Sequence, residues 1–499
     1  MIKKMNKSSL ILKRKHPSDY FFSRSSSKVT FFIIFLLLAM HSYSQTYWSM
    51  ETCIQYAYEN NIDIKKQSLL INSAEKDLLQ SKASFLPDLN GYVTHSYNYG
   101  QTVDRYTNQF ATDRVQSNNF NIQSNVVLFN GFQILNNYKQ SKLGLMAAKY
   151  DVDKLKDDIS LSIANAYLAI LYSEELINVA ESQLDITKQQ VENTKKLVEA
   201  GTLARGSLLE IQAQQAMEEL NVVQTQNQLV LAYLNLTQLL DLPSPKDFRI
   251  EKPEILLSED DLLLSNPEII FAYAVENQPD VKSAALRVES SEKGLDIARG
   301  ASYPSLTFSG SWATGYSGAS KDLINYSLSP DMYPIGITQS TFPDTVLGFS
   351  YDSEYKVKSF ENQFRDNNNR TLGLYINIPI FNKLQTRTSI SKSKIALESA
   401  NYDLLLTKNQ LRKNIQQAWA DAKASHNSYM STQTALEAAE ESFKYIEQKF
   451  NVGMVNIVEY NDIKNKMIKG QSDLVRAKYE YIFRVKVMDF YLGRPITLK

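Results

Sequence analysis

Few side chains in this sequence could carry covalent catalysis or hold a transition metal. The one cysteine is Cys53, and of the four histidines only His95 and His426 lie beyond residue 44. A single cysteine excludes an internal disulfide and a multi-thiolate zinc site, and two distant histidines disfavour a histidine-based catalytic triad. No glycine-rich loop ends in Lys-Ser or Lys-Thr, as a phosphate-binding loop would. We therefore expect no catalytic residue, no metal, no cofactor and no nucleotide site.

The balance of charged and turn-forming residues narrows the class of protein further. Lysine and arginine together number 54, as do aspartate and glutamate, so a nucleic-acid binder or an anionic-membrane binder driven by bulk charge is excluded. Glycine and proline number 17 and 13, and their combined share of about 6% is roughly half the usual one. The chain is therefore expected to form long, uninterrupted elements.

The first 44 residues have the pattern of a secretory signal. Basic residues are spread over 1–28, an apolar stretch occupies 29–40, and the small residues Ser42 and Ser44 follow. About twelve apolar residues are too few for a spanning helix, which needs about 20. We predict a signal peptide over 1–44, with an N-terminal anchor as the alternative.

The remaining sequence is one pattern written twice. Pro87 matches Pro304 at an offset of 217 residues, and Gly201 matches Gly453 at an offset of 252. The offset therefore grows by 35 residues, which indicates an insertion in the second copy. Such self-similarity is typical of duplication within one architecture.

The matches define the expected organisation of the chain. We predict a first structural repeat over 45–243, a linker over 244–267 and a second repeat over 268–499. The insertion falls at about 319–369, and we expect it to face the outside.

Each copy contains two runs in which apolar and polar residues alternate. The first copy has them at 89–99 and 119–129, and the second at 305–316 and 371–380. Each run has about the ten residues of a tilted membrane-spanning strand that faces lipid on one side and water on the other. A soluble antiparallel sheet with one wet face is the alternative.

The aromatic residues Tyr97, Tyr99, Trp312 and Tyr316 lie near the ends of these runs, where a barrel has its interfacial girdle. His95 shares their face, and we expect it to be an interfacial or pairing residue. Four strands cannot close a barrel, because the smallest membrane barrels have about eight. An open edge in lipid is costly, so membrane-spanning strands require several chains to share one barrel.

Very long helices are predicted between the strand pairs. Residues 132–200 contain no proline and only Gly144, and residues 383–452 contain neither proline nor glycine. Nearly 70 residues at 1.5 Å each span about 100 Å. Apolar residues recur every seven positions in both segments, which favours left-handed supercoiling. Each segment stops at a glycine, Gly201 or Gly453, the usual residue after a helix end.

A second helix follows each stop, at 207–240 and at 457–492, so each copy should form a hairpin. Ser207 and Glu210 have the spacing of an N-terminal capping box. A plain antiparallel coiled-coil scaffold would explain the heptads equally well, but it would not explain the strands.

The whole sequence after residue 44 resembles the TolC family of outer-membrane efflux channels. The resemblance rests on the duplicated order of short helices, two strands and a long hairpin. The residues that carry it are Phe129-Asn130 and Phe381-Asn382 at the strand-to-helix joints, and Gly201 and Gly453 at the hairpin tips.

The resemblance implies an α+β membrane protein that assembles as a homotrimer. Four strands per chain would form a 12-stranded β-barrel in outer-membrane lipid, continued by a long α-helical coiled-coil tunnel in the periplasm. The implied function is a passive exit duct in tripartite efflux or type I secretion, with a periplasmic adaptor (membrane fusion) protein and an inner-membrane pump as partners. The alternative is a periplasmic coiled-coil scaffold or adaptor that does not span the membrane. The sequence does not indicate a substrate.

The resemblance also implies a constriction at the periplasmic end. In the family, acids that follow the second tip glycine form a ring, and the matching positions are Glu459 and Asp462. The alternative is that acids in a first helical turn only stabilise the helix dipole. Val455 stands where a basic residue latches the closed family channel. Gly201 and Gly453 would mark grooves for the adaptor, or would simply end their helices.

Overall fold

The computed structural model describes residues 47–111, 114–244, 248–253 and 266–498. The signal peptide predicted over 1–44 and most of the linker predicted over 244–267 therefore lie outside the described residues. Among the described helices, none is both long enough and apolar enough to cross a membrane.

Seventeen helices and strands follow one another along the described chain. The first copy contains, in order, α1 (Met50–Asn60), α2 (Ile62–Ala83), β1 (Asn90–Asn98), β2 (Thr102–Val103), β3 (Phe110–Ala111), β4 (Val115–Phe129), α3 (Gln133–Glu199) and α4 (Arg205–Leu239). The second copy contains α5 (Pro267–Asn277), α6 (Pro279–Gly300), β5 (Ser305–Ser317), β6 (Lys321–Ile337), β7 (Thr345–Val357), α7 (Phe360–Asp366), β8 (Asn369–Asn377), α8 (Gln385–Asn451) and α9 (Ile457–Tyr491).

The two copies have helices of identical length. Each copy contains four helices of 11, 22, 67 and 35 residues in the same order. Among the described elements of the second copy, only β6, β7 and α7 have no helix or strand of similar size in the described part of the first. The duplication read from the sequence is therefore confirmed in the fold.

The four predicted strands form one antiparallel sheet in the order β1-β4-β5-β8. Directly paired residues of neighbouring strands point to the same face of a sheet, so the register assigns every side chain to a face. The sheet apolar face comprises Val93, Phe120, Ile122, Val126, Leu306, Phe308, Trp312, Leu372, Leu374 and Ile376. The sheet polar face carries Thr94, Asn119, Asn121, Gln123, Ser309, Ser311 and Thr371, interrupted by Tyr92, Ala313 and Tyr375.

The alternation predicted for the four strands is thus confirmed, and the register makes it continuous across the sheet. The main difference lies in β4, which begins at Val115, four residues before the predicted start. The outermost strands β1 and β8 each have one edge that pairs with no other strand of the described chain.

Each long helix begins after two residues with left-handed backbone. Gly131 and Phe132 precede α3 with φ of 66° and 62°, and Lys383 and Leu384 precede α8 with φ of 55° and 65°. This conformation turns the chain sharply from strand to helix. At Gly131 no side chain would fit, because a Cβ would lie 2.2 Å from the carbonyl oxygen of Gly300.

Each long helix also ends in the same way. Gly201 and Gly453 both have a φ of 75°. The amide of Thr202 donates to the carbonyl of Leu197 at 2.9 Å, which is the six-to-one hydrogen bond of a Schellman motif. The second copy has the same bond at the equivalent position, from the amide of Met454 to the carbonyl of Lys449, again at 2.9 Å. The predicted stops are confirmed.

The starts of the second helices differ between the copies. Helix α4 begins at Arg205, after Ala204, whose methyl side chain cannot accept a hydrogen bond. Ser207 lies inside the first turn, so the capping box predicted for it is wrong. Helix α9 has a side-chain cap instead, because the amide of Glu459 donates to Oδ1 of Asn456 at 2.9 Å.

The heptad positions form the helical core. Ile163 and Ile170 in α3 and Ile415 and Ala422 in α8 are fully buried, as the seven-residue spacing predicts. Near the level of the short helices, Cys53 is also fully buried in an apolar cluster. Burial raises the pKa of its thiol to about 12, so Cys53 is an inert core residue.

The insertion predicted at about 319–369 is ordered structure. Strands β6 and β7 form a separate two-stranded antiparallel hairpin. Helix α7 follows and packs against β5 through the rings of Phe360 and Phe364, which contact Tyr316 and Trp312.

Candidate functional site

The tips of the two helical hairpins form the end of the chain farthest from the sheet. Both tips turn at a glycine, Gly201 or Gly453, beside exposed residues. Around the second tip, Val452, Met454 and Val458 are exposed apolar side chains. The tips therefore combine a rigid turn with an apolar surface that is open to solvent.

The two predicted constriction acids lie close to the second tip. Glu459 and Asp462 are exposed and are three residues apart in the first turns of α9. Residues at this spacing share one face of a helix. The structure thus brings the two carboxylates together on one exposed face.

A lysine that sequence reasoning did not include stands beside them. Nζ of Lys466 lies 2.7 Å from Oδ2 of Asp462, one helical turn away. Both side chains are well exposed, and an exposed pair of this kind contributes little to stability. Its effect is on local charge, because Lys466 partly compensates the negative face of α9.

A buried polar cluster joins the two hairpins behind this face. Nζ of Lys464 lies 3.0 Å from Oε1 of Glu218. Lys464 also donates to the hydroxyl of Thr187, and that hydroxyl contacts the Glu218 carboxylate. Lys464 and Thr187 are fully buried and Glu218 is nearly so. Because the three residues belong to α9, α4 and α3, the cluster fixes one hairpin against the other.

Further hydrogen bonds extend this cluster along the helices. Nε2 of Gln214 donates to Oε1 of Glu218 at 3.0 Å and lies 3.3 Å from Oδ1 of Asn465. Nε2 of Gln183 donates to Oε1 of Gln471 at 2.9 Å. Burial lowers the pKa of Lys464, while the Glu218 carboxylate acts in the opposite direction. Removing one member of such a buried pair leaves an uncompensated charge.

Sequence reasoning missed this cluster, although a signal was present. Glu218 continues the heptad position of Ile211, which is fully buried, and Lys464 lies between Tyr460 and Met467 on the buried stripe of α9. A single charge within an apolar heptad stripe marks a buried polar contact.

A folded loop covers part of the sheet polar face at the opposite end of the chain. It lies between β1 and β4, and the hydroxyl of Tyr106 donates to Oδ1 of Asn119 at 2.6 Å. Asp104 holds the loop in shape by accepting from the amide of Thr107 at 2.8 Å and from the hydroxyl of Ser317. The loop therefore lies over the wet side of the sheet.

The predicted aromatic girdle residues all lie at this same end. Tyr97 is the last residue but one of β1, and the guanidinium of Arg114 lies 4.4 Å from its ring centre. Tyr99 follows the strand and is exposed. Trp312 and Tyr316 lie on the sheet apolar face, but α7 partly covers them, with ring centres 5.8 Å from Phe364 and Phe360 respectively. Sequence reasoning did not predict α7.

His95 lies on the same face of β1, and its ring contacts the side chain of its cross-strand neighbour Asn118. This pairing role is one of the two that the sequence predicted for it.

Comparison with known proteins gives a consistent family. The model of the family described as "Outer membrane efflux protein" matches residues 53–241 and 272–494. The outer membrane efflux protein BepC of Brucella suis biovar 1 (strain 1330) is 20% identical over 431 residues, which cover 85% of this chain and 81% of BepC.

Solved structures share the fold. The outer membrane protein VceC of Vibrio cholerae superposes with a TM-score of 0.70 at 16% identity, covering 90% of this chain and 96% of VceC. The outer membrane channel CmeC of Campylobacter jejuni gives a TM-score of 0.70 at 15% identity, covering 89% of this chain and 85% of CmeC.

The family model matches two segments, and each contains one copy of the duplicated order of helices and strands. The two copies together form the two-faced sheet. Family membership decides between the two functions considered from the sequence, and it favours the channel over the periplasmic scaffold. The chain belongs to the outer membrane efflux protein family, and it is an efflux exit duct of the outer membrane whose helices extend into the periplasm as a tunnel.

Proposed function

We propose that three copies of this chain close one 12-stranded barrel and form a passive conduit that is gated at its periplasmic tips. Channels of this family are trimeric tunnels of tripartite efflux. The observation that carries the proposal is the sheet of four antiparallel strands. It has one apolar face and one polar face, and the outer edges of β1 and β8 pair with no other strand of the described chain.

The exposed apolar face supports a location in lipid. Leu372, Leu374 and Ile376 of β8 are at least 64% exposed in the single chain. Water would disfavour such a surface, whereas lipid accepts it. The repeats 45–243 and 268–499 each contribute two strands to the barrel, and Tyr97 and Tyr99 mark its outer lipid boundary.

Closure of the edges supports the homotrimer. A free strand edge inside lipid leaves backbone amides and carbonyls without hydrogen-bond partners, at several kcal/mol for each group. In a ring of identical chains, β8 of one chain pairs with β1 of the next, and every edge is used. Three chains supply twelve strands, which is within the range of known membrane barrels.

The gate is proposed at Glu459 and Asp462. Around a threefold axis, their common exposed face would form a ring of carboxylates that favours cations at the entrance. Lys466 limits this effect through its 2.7 Å ion pair with Asp462. The buried cluster of Lys464, Glu218 and Thr187 fixes the helix that carries the ring.

The partners proposed are a periplasmic adaptor protein and an inner-membrane pump. The turns at Gly201 and Gly453, with the exposed Val452 and Met454 beside the second, offer a surface for adaptor helices. The family and fold are those of channel proteins, and we propose that this chain has no catalytic activity of its own. The energy for transport then comes from the pump.

Single-channel recording tests the proposal. The processed full chain, purified in detergent, should migrate as a trimer in native mass measurement and should form ion-conducting channels in planar bilayers. A monomer that remains soluble without detergent and never conducts would overturn both the homotrimer and the conduit.

A further inference from the structure

The β6–β7 hairpin is a ribbon with one mainly apolar face and an opposite face that is polar in the half near its base. Strand β7 runs without an extra residue, so its alternate side chains stay on one face, and each β6 residue directly paired with them shares that face. The ribbon apolar face comprises Leu323, Tyr326, Leu328, Met332, Ile337, Leu347, Phe349, Tyr351 and Tyr355. The ribbon polar face carries Asp322, Asn325, Ser327, Asp352, Glu354 and Lys356 in the half near the base, and Tyr333, Gly336, Val346 and Gly348 towards the turn.

The ribbon apolar face is uncovered in the single chain. Each of its nine side chains is at least 47% exposed. Thirteen residues of β7 at about 3.4 Å each make the face roughly 40 Å long. An apolar surface of this size marks an interaction site in most proteins, and an isolated two-stranded hairpin is only marginally stable in water. The ribbon therefore needs a partner.

The base of the ribbon is held firmly at the outer end of the sheet. The side-chain amide of Gln363 in α7 accepts from the amide of Ser317 at 2.9 Å and donates to the carbonyls of Ser317 and Lys358 at 3.0 and 2.8 Å. Gln363 is fully buried. The amide of Lys358 also donates to the carbonyl of Ser320 at 2.9 Å. The ribbon thus starts from a fixed position between β5 and the edge strand β8.

This position is continuous with the seam between chains. Because β8 carries a free edge that meets the next chain in the trimer, a ribbon rooted between β5 and β8 stands beside its neighbour. The ribbon also has two free edges of its own, since β6 and β7 pair only with each other in the described chain. Threefold repetition supplies identical apolar faces and identical edges to cover them.

The charge of the ribbon distinguishes this partner from a lipid surface. Residues 321–357 contain five acidic and two basic residues, and Asp322, Asp352 and Glu354 lie on the ribbon polar face. Segments that lie on an anionic membrane carry Lys and Arg on their polar face instead. The acidic ribbon is therefore poorly suited to an anionic lipid surface.

We propose that the β6–β7 ribbons of three chains pack their apolar faces against one another and form a shared collar above the outer mouth of the channel. The inference rests on the trimer of the proposed function. The collar buries the nine apolar side chains, leaves the acidic face in water, and ties the three chains together outside the barrel.

Cysteine cross-linking tests the collar, because the chain's only cysteine is fully buried and should not react. Leu328→Cys places a thiol on the ribbon apolar face, and the adjacent Ser327→Cys places one on the polar face as a matched control. In the purified full-length trimer, a short bismaleimide should link Leu328→Cys chains into covalent dimers at least about fivefold more than Ser327→Cys chains. A polymer-linked maleimide should label Leu328→Cys at least about fivefold more slowly.

The possible outcomes separate the collar from the proposed function. If Leu328→Cys trimers conduct but give no cross-link, and the thiol is labelled as fast as in Ser327→Cys, the collar is wrong and the channel stands. If a fluorophore on Leu328→Cys in phosphatidylglycerol vesicles is quenched by spin-labelled lipid, the ribbon lies on lipid and the collar is again wrong. If the Ser327→Cys control is itself a monomer, the proposed trimer fails first, and the collar fails with it.

Discussion

The two hairpin tips share a backbone and differ in chemistry. Both long helices have 67 residues, both end in the same glycine turn, and both are followed by a helix of 35 residues. Only the second tip has a side-chain cap, at Asn456. Its acid Glu459 corresponds to Ser207 of the first tip, whereas Asp462 corresponds to Glu210. The buried Lys464 corresponds to the exposed Gln212 of the first copy. The two copies therefore share the backbone, while the side-chain cap, the acid at position 459 and the buried lysine occur only in the second.

Substitution of the buried lysine should give the largest difference in free energy of unfolding between matching positions of the two copies. Lys464→Met leaves the Glu218 carboxylate buried and unpaired, and it should lower the free energy of unfolding by about 3–5 kcal/mol. Gln212→Met, at the matching exposed position, should change it by less than about 0.5 kcal/mol. Denaturant unfolding of the trimer followed by fluorescence measures both.

The double variant Lys464→Met with Glu218→Met sharpens this test. Replacing both charges with apolar side chains should restore most of the lost stability. A Lys464→Met variant as stable as Gln212→Met would show that the buried ion pair does not hold the hairpins together.

The joints between strand and helix give the next largest difference. Gly131 and Lys383 occupy equivalent positions, yet only Gly131 lies against the backbone of Gly300. Gly131→Ala should destabilise the chain by about 2–4 kcal/mol, because a Cβ there meets a carbonyl oxygen. Glycine adopts the positive φ of Lys383 without strain, so Lys383→Gly should lower the free energy of unfolding by less than about 1 kcal/mol. Thermal unfolding compares the two variants, and equal losses would contradict the close contact.

A carboxylate of α3 gives the first copy a pH-dependent contribution to stability that the second copy lacks. Burial, followed by the nearby Asp153 and Asp158, raises the pKa of Asp157 to about 6, and the matching residue of the second copy is Asn409. An acid whose folded pKa is raised destabilises the fold once it ionises. Its cost is absent below about pH 4, grows between pH 4 and 6, and is complete above pH 6.

Asp157→Asn should therefore stabilise the protein by about 1–2 kcal/mol at pH 7.5, after allowance for solvent screening, and by almost nothing at pH 4. Unfolding at the two pH values measures the difference. The exposed Asp185→Asn is the control, and it should show no gain at either pH. The same gain for Asp157→Asn at pH 4 and at pH 7.5 would contradict the raised pKa.

Neutralising the acids at the second tip should have the smallest effect, and it should change ion selectivity. Glu459→Gln together with Asp462→Asn should lower the cation-to-anion permeability ratio by about two- to threefold, because the ring loses its charge. Lys466→Gln should raise the ratio. Glu210→Gln, at an exposed site of the first tip, is the control and should leave the ratio unchanged. Reversal potentials in a salt gradient measure the ratio, and an unchanged ratio in the double variant would contradict the ring.

Much of the fold was predictable because its signals are periodic and repeated. The alternation in the four strands and the seven-residue spacing of residues such as Ile163 and Ile415 each extend over many positions, so such patterns rarely arise by chance. The duplication allowed each element to be read twice. The helix ends at Gly201 and Gly453 were predictable for the same reason, since both copies carry the turn residue.

The parts that were not predicted lack a counterpart or depend on a single residue. Strands β6 and β7 and helix α7 occur once, so no second copy supported them. Glu218 and Lys464 are isolated charges in apolar stripes, and their pairing depends on how α4 and α9 meet in space. The assignment of Glu459 and Asp462 to a constriction came from family resemblance, and it stays a prediction.

The free edges of β1 and β8 also constrain the order of assembly. In a lone chain inserted into the bilayer, the backbone amides and carbonyls along two strand edges would lack hydrogen-bond partners in hydrocarbon. The inserted single chain is therefore unstable. Association of the chains must therefore precede or accompany insertion. The rate of maturation should rise with the local concentration of newly exported chains, and factors that gather them at the membrane surface would speed it.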